Sequence, residues 1–366
     1  MRWWGATRRA ERVHLVSGYG LAAVHEDGAT VSEQKPCPGD RPAHPHDRPG
    51  APVAVLGAGG VGGLIAGALA RAGTPVILVA RRASARAIRA GALTVHSEAL
   101  GDFSARPQAV EALRERPSAL ILATKSVHLS GALGRVLYEP PLVVPLLNGI
   151  EHLTVLRERF GAERVLAAVI RVHSDRPAPG LIVQRGPVVR IDMAPAPPAA
   201  RAGAGELARQ LQAAGIRLAT GAGEAEVMWG KLARLCPLAL ATSAYDAPLG
   251  PLREDPRRRA ELEEAIAEVV AVANAHGAGL DPSVPAAELR AAHPGLDSSM
   301  RRDLAAGRPT ELDAIAGAVL RAAAARSLSC PTIERLAGAV ADRERRGRRP
   351  QRPRTVADRE RRRRRP

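Results

Sequence analysis

The chain has 366 residues, 46% of them apolar, which is enough for two domains with a real core; aromatic residues are only 2%, so that core must be built from Ala, Leu, Val and Ile. The formal net charge of +16 would suggest nucleic acid if it were spread over the fold, but residues 342–366 alone hold 13 arginines against 4 acids, and the chain carries neither a base-reading motif nor aromatics for stacking. No apolar run approaches the roughly 18 residues of a membrane span, and Cys37, Cys236 and Cys330 are too few and too far apart for a disulfide framework or a metal site. These features lead us to expect a cytoplasmic protein with no metal centre.

Residues 1–51 mix scattered charge with a Pro/His-rich piece and show no sustained period, so they are expected to be a disordered extension; His44 and His46 in it lack a matching ligand set. From Pro52 to Arg82 the pattern is strand, glycine-rich turn, helix, strand. The buried-type run Val53 to Leu56 leads into Gly57-Ala58-Gly59-Gly60-Val61-Gly62, a GxGxxG in the context that a dinucleotide-binding βαβ requires. Gly57 allows the tight turn, Gly59 lets backbone approach a pyrophosphate, and Gly62 lets the helix sit close on the strand, its N-terminal N–H groups facing the phosphates. After the second strand, where an NAD-preferring protein would place an acid for the ribose 2′-hydroxyl, stand Arg81 and Arg82. Two guanidiniums suit a 2′-phosphate, which points to NADP(H); the plainer alternative is a pair of solvated surface charges.

Further strands are expected at Leu93 to His96, Ser118 to Thr124, Leu142 to Leu147, Arg164 to Val172, Leu181 to Gln184 and Val188 to Met193. Lys125 and Asn148 follow two of them, at the carboxyl ends where an open α/β sheet takes its ligand. Lys125 could also be an ordinary surface lysine, and Asn148-Gly149 an ordinary turn. From about Gly223 the pattern is helical, with apolar stripes at Leu262, Ala265, Ile266, Val269 and Val270 and again at Leu312, Ile315, Ala316 and Val319. The expected organisation is α/β: a Rossmann dinucleotide-binding domain over 52–220, an all-helical domain over 221–341, a cleft between them, and a disordered arginine-rich tail from 342. The apolar helices leave open packing within one chain or between two copies.

Three segments in the helical part go beyond fold: Trp229-Gly230-Lys231-Leu232, Ser298-Ser299-Met300-Arg301-Arg302-Asp303, and Gly307-Arg308-Pro309-Thr310-Glu311-Leu312-Asp313. With the glycine turn, Lys125 and Asn148-Gly149, they resemble the ketopantoate reductase (2-dehydropantoate 2-reductase) family over about residues 52–341. The resemblance implies NADPH-dependent reduction of the 2-keto group of ketopantoate to pantoate, a step of pantothenate synthesis. It also implies Lys231 as the general acid, Glu311 as a supporting carboxylate that also touches the cofactor, Ser299 and Asn148 as substrate contacts, and Lys125 and Asn148 beside the cofactor.

The residue types fit the chemistry. Hydride transfer to a ketone builds negative charge on oxygen, and a nearby ammonium both stabilises that charge and supplies the proton. One departure stands out. Positions 231, 235 and 239 share a helix face, and where the family typically has two asparagines this chain has Leu235 and Ala239, with Thr242 and Ser243 as candidate substitutes one turn on. That leaves another 2-keto acid or ketone as an alternative substrate. It also leaves an NADP(H)-binding sensor without catalysis as an alternative of another class, against which the retained Lys231, Ser299 and Glu311 argue.

Overall fold

The computed structural model describes residues 50–348. Nearly all of the extension at 1–51, with its two histidines, and the tail from 349 lie outside the described residues. In chain order the elements are β1 (Val53–Leu56), α1 (Gly60–Arg71), β2 (Val76–Val79), α2 (Arg82–Gly91), β3 (Leu93–Ser97), β4 (Phe103–Ala105), β5 (Gln108–Val110), β6 (Ala119–Leu122), α3 (Leu129–Leu133), β7 (Val143–Pro145), α4 (His152–Phe160), β8 (Ala168–Ala178), β9 (Leu181–Met193), α5 (Arg201–Ala213) and β10 (Arg217–Thr220). Helices follow: α6 (Glu224–Tyr245), α7 (Leu249–Glu254), α8 (Pro256–Ala275), α9 (Ser283–Ala291), α10 (Ser299–Ala305), a π turn (Asp313–Gly317), α11 (Ala318–Ala324) and α12 (Pro331–Arg348).

The strands form two sheets. The first is wholly parallel in the order β5-β2-β1-β6-β7, so chain direction along the sheet reverses between β1 and β6, the switch point at which such sheets bind ligands. The second runs β10-β9-β3-β4, with β8 antiparallel to β9. Helix α1 is wedged between the two. All eight residues from Gly62 to Leu69 are buried, as expected of a helix apolar all round. Its glycines make this possible: a Cβ at Gly63 would run into Ile182 of β9, and one at Gly67 would crowd Val95 and Leu93 of β3. Leu64, Ile65 and Leu69 thereby share one core with Val53, Val55, Val95, Ile182 and Ile191, each such side chain contributing about 2 kcal/mol.

Two expectations need correction. Leu181–Gln184 and Val188–Met193 belong to one strand. Gly186 at φ +77° permits the irregularity, the Gln184 amide bonds the carbonyls of Arg185 and Gly186, and the register with β8 shifts between Val172 and His173. The tail, expected to be disordered from 342, instead continues α12 to Arg348, because Arg and Glu are good helix formers and two of these residues have partners: Glu344 accepts from Thr310 N and Oγ1, and Arg343 pairs with Asp246. The strands β4, β5 and β10 are too short to show a period.

The second core surrounds α6, with Trp229, Leu232, Ala233, Cys236 and Leu240 against Val269, Val270 and Ala273 of α8 and Ile333, Leu336 and Val340 of α12. The N-terminal turn of α6 belongs to the first sheet instead. Val227 and Met228 pack with Leu153 and Leu156 of α4, so the next turn of α6, with Lys231, is aimed at the carboxyl ends of the strands. Ending the chain after Ala341 should lower the thermal midpoint relative to ending it after Arg348, by the equivalent of roughly 1–3 kcal/mol, because Asp246 and Thr310 lose the partners that Arg343 and Glu344 provide; equal midpoints would remove 342–348 from the fold.

Candidate active site

The glycine turn is shaped largely by the protein itself. Gly57 has φ +113° and a Cβ there would lie 2.8 Å from Ala123 O; one at Gly60 would meet the Ser174 carbonyl, and one at Gly62 the Gly57 carbonyl. Ser174 Oγ also donates to Gly60 O at 2.9 Å, so the β8–β9 hairpin braces the turn. Gly59 differs: no protein atom lies within 4 Å of where its Cβ would be, and no side chain caps the N-terminus of α1. An anion fits that arrangement of bare helix N-terminus and open glycine. Arg81 and Arg82, beyond β2, are exposed and pair with no carboxylate among the described residues.

Four side chains from four parts of the sequence form one hydrogen-bonded chain. Lys231 Nζ donates to Asn148 Oδ1 at 2.8 Å, and Asn148 Nδ2 donates to Glu311 Oε2 at 2.9 Å. The other oxygen, Glu311 Oε1, accepts from both the backbone N and the Oγ of Ser126, each at 3.0 Å. Beside them Lys125 Nζ lies 2.6 Å from Asp303 Oδ2 and 3.4 Å from Pro309 O. Each position has a local cause. Asn148 ends the loop after β7, and Gly149 follows with φ +83° because a Cβ there would strike the Ala314 carbonyl. Glu311 stands two residues before the π turn, a distortion frequent at functional sites, and the hydroxyl of Thr310 accepts from Leu312 N.

Two titrations follow from this environment. Burial pushes the Lys231 ammonium down from 10.5 to about 8; Glu311 works against the shift, Arg171 and Arg234 work with it, and Asp192 opposes it more weakly. His152, at the start of α4, is 6% exposed with neither ring nitrogen bonded to a protein group. Burial, and then the charge of Lys231, pushes it down to about 4, so it is a neutral imidazole.

The remaining expected residues are less tightly placed. Ser299, on the first turn of α10, is exposed; Leu235 and Ala239 pack into the helical core. Thr242 cannot replace the missing polar groups, because its hydroxyl is spent on Leu238 O at 2.7 Å and Ser298 Oγ at 2.7 Å, and Ser243 is fully buried. Ser126, Asp303 and His152 escaped the sequence reading as site residues. Asp303 stood in a motif without a role, and Ser126 adjoins Lys125, but no spacing signals His152. A cavity of about 860 Å³ opens on another face of α6, where Arg171 Nε bonds Asp192 Oδ2 at 3.1 Å; Gly230 and Ala233 line it and Lys231 does not.

A family model described as ketopantoate reductase PanE/ApbA matches residues 53–198, and one described as ketopantoate reductase PanE/ApbA C terminal matches residues 225–344. The chain is similar to the 2-dehydropantoate 2-reductase of Caulobacter vibrioides, 31% identical over 289 residues that cover 76% of this chain and 94% of that one. Among solved structures it is similar to 2-dehydropantoate 2-reductase from Geobacter metallireducens, at 26% identity and a TM-score of 0.74 over 79% of this chain and 99% of that one. The ternary structure of D-mandelate dehydrogenase with NADH and anilino(oxo)acetate has the same fold, with a TM-score of 0.74 at 20% identity over 81% of this chain and 98% of that one.

His152 makes stability depend on pH. Its folded value of about 4 lies below the ordinary 6.5, so the unfolded chain takes up the proton first; stability present above pH 6.5 is lost as pH falls toward 4 and is flat below that. Between pH 7 and 5 the loss from this one group should be about 2 kcal/mol in urea unfolding. His152→Phe should shrink the pH dependence by that amount, and an unchanged slope would show that the imidazole is solvated.

Proposed function

The chain belongs to the ketopantoate reductase PanE/ApbA family of oxidoreductases, and from that premise we propose that it reduces the 2-keto group of 2-dehydropantoate to pantoate with NADPH, Lys231 serving as general acid. The observation that carries this reading is the hydrogen-bonded chain from Lys231 through Asn148 to Glu311, which holds a transferable proton at the carboxyl ends of the strands.

A bound nicotinamide dinucleotide supplies the hydride. The open side of Gly59 and the uncapped N-terminus of α1 would take its pyrophosphate, and Arg81 and Arg82, exposed and without carboxylate partners among the described residues, would take a 2′-phosphate. Lys125 would sit beside the cofactor, its ammonium held by Asp303. Lys231 then has two tasks: its charge stabilises the developing alkoxide, and its proton completes the alcohol. Glu311 acts through Asn148. With Glu311 Oε2 accepting from Nδ2, the amide must present Oδ1 to the ammonium, which fixes the direction in which Lys231 points. A pKa of about 8 suits an acid that is charged at neutral pH yet gives up its proton readily.

Leu235 and Ala239 favour a second reading on the substrate side. Leu235 is half-buried and apolar, Ala239 lies in the helical core and Thr242 is engaged elsewhere, so this part of α6 offers hydroxyl groups no partner and suits a 2-keto acid with fewer of them than ketopantoate.

Reduction should slow above about pH 8 as Lys231 loses its proton, because the charged form is the active acid. Lys231→Ala should lower kcat by roughly 10²–10⁴-fold while NADPH binding, followed by its fluorescence, stays within about twofold; unchanged turnover would remove Lys231 from the mechanism. Arg81→Ala with Arg82→Ala should weaken NADPH about tenfold and leave NADH unaffected, and equal losses for both would contradict a 2′-phosphate site.

A further inference from the structure

If Leu235, Ala239 and Thr242 offer a 2-keto acid nothing to hold its carboxylate, that oxyanion needs another partner. We propose that Arg302 on α10 is that partner: a specificity-determining residue whose guanidinium, with the hydroxyl of Ser299, binds the substrate's carboxylate. This rests on the reductase reading above.

Most arginines around the cleft have their hydrogen bonds met by the protein. Arg171 Nε bonds Asp192, Arg301 Nε bonds Asp246 Oδ1 at 3.0 Å, and Arg308 Nε bonds Asp303 Oδ1 at 2.9 Å. Arg302 does not follow them, and neither does Arg234, whose buried Nε makes no hydrogen bond and lies 3.5 Å from Glu288 Oε2; among the described residues only Arg302 has two such donors. Its side chain is 26% exposed, yet Nε and Nη1 are themselves buried and neither makes a hydrogen bond. Two carboxylates stand at ion-pair range: Asp175 Oδ2 lies 3.5 Å from Nε and Asp297 Oδ2 lies 4.0 Å from Nη1. Each of those acids has another cation, since Arg185 reaches Asp175 at 3.5 Å and Arg301 reaches Asp297 at 3.3 Å. Charge around Arg302 is therefore balanced in part, while its donors remain unmet. Buried polar groups are nearly always bonded, so unmet donors on a guanidinium that is itself partly exposed are where a ligand's acceptors would belong.

Position makes that ligand the one being reduced. Asp175 follows Ser174, whose hydroxyl bonds the glycine turn at Gly60, and Asp303, next to Arg302, holds Lys125. Arg302 thus pairs with the neighbour of a residue that bonds the glycine turn, and adjoins in sequence the residue that holds Lys125. Ser299, three residues earlier on α10, shares its helix face and is exposed with its hydroxyl unbonded. His173 Nε2, 3.6 Å from Asp175 Oδ2, is a further buried atom without a hydrogen bond at the same spot. An arginine recognises planar carboxylates where an asparagine would recognise hydroxyls, so its presence accords with an apolar face at 235 and 239.

An oxyanion here could come from the substrate's carboxylate or from the cofactor's pyrophosphate, and the test separates them. In Arg302→Gln, KM for 2-keto acids should rise about 10–100-fold, kcat should change less, and the NADPH dissociation constant should stay within about twofold. Arg302→Lys should recover part of the loss. The methyl ester of the same 2-keto acid, which lacks the charge, should be reduced equally by wild type and variant. Calorimetry with oxamate, an unreactive carboxylate-bearing mimic, on the NADPH complex reads the same contact without turnover. An inactive wild type that still binds oxamate through Arg302 would sink the reductase reading alone. Unchanged oxamate affinity in Arg302→Gln, or a loss confined to NADPH, would overturn the Arg302 assignment while leaving the reductase reading intact.

Discussion

One buried carboxylate joins the two halves of the fold at the candidate site. Glu311 is 6% exposed, and both of its oxygens are occupied by donors from the parallel-sheet half of the fold, Ser126 and Asn148, although Glu311 itself comes from the helical half. A carboxylate withdrawn from water is costly unless its lone pairs are met, and here three hydrogen bonds meet them. The same bonds decide which way the Asn148 amide faces and hence where the Lys231 ammonium sits. The position of the ammonium is thus inherited from a carboxylate that does not bond it.

At Lys231 two effects compete, and burial wins. Withdrawal from water and the charges of Arg171 and Arg234 disfavour the charge, Glu311 and Asp192 favour it, and the net displacement from 10.5 to about 8 corresponds to roughly 3 kcal/mol. Had Glu311 bonded the ammonium directly, the opposing pull would have been stronger and the proton held more tightly. Interposing a neutral amide keeps the orientation without the full charge–charge attraction.

The parts of the fold that were legible in the sequence are those with strong local patterns. The run before Gly57 and the runs ending at Lys125 and Asn148 could be placed at a sheet's ligand-binding edge because short apolar strands and turn residues carry their own signals. Ser126 and Asp303 could not be placed, since each meets a partner more than 170 residues away in sequence. The continuous β9 was hidden by Gly186-Pro187, which reads as a break unless the bulge that absorbs it is known. Replacement of the family's asparagines by Leu235 and Ala239 was plain to see, whereas Arg302, one of 53 basic residues, becomes distinct only when its neighbours' hydrogen bonds can be counted.

The glycine turn also has a meaning beyond nucleotide recognition. Gly57, Gly60 and Gly62 are forbidden side chains by carbonyls of the protein itself, so the fingerprint is mainly an internal packing code. Because the β8–β9 hairpin already braces it, the cradle is preorganised, and a nucleotide entering it loses little affinity to the ordering of loose backbone. Of the motif's four glycines, Gly59 alone is not required by packing against the rest of the fold, so under the proposed nucleotide reading a methyl group there would be felt by the ligand's phosphates and not by the protein around it.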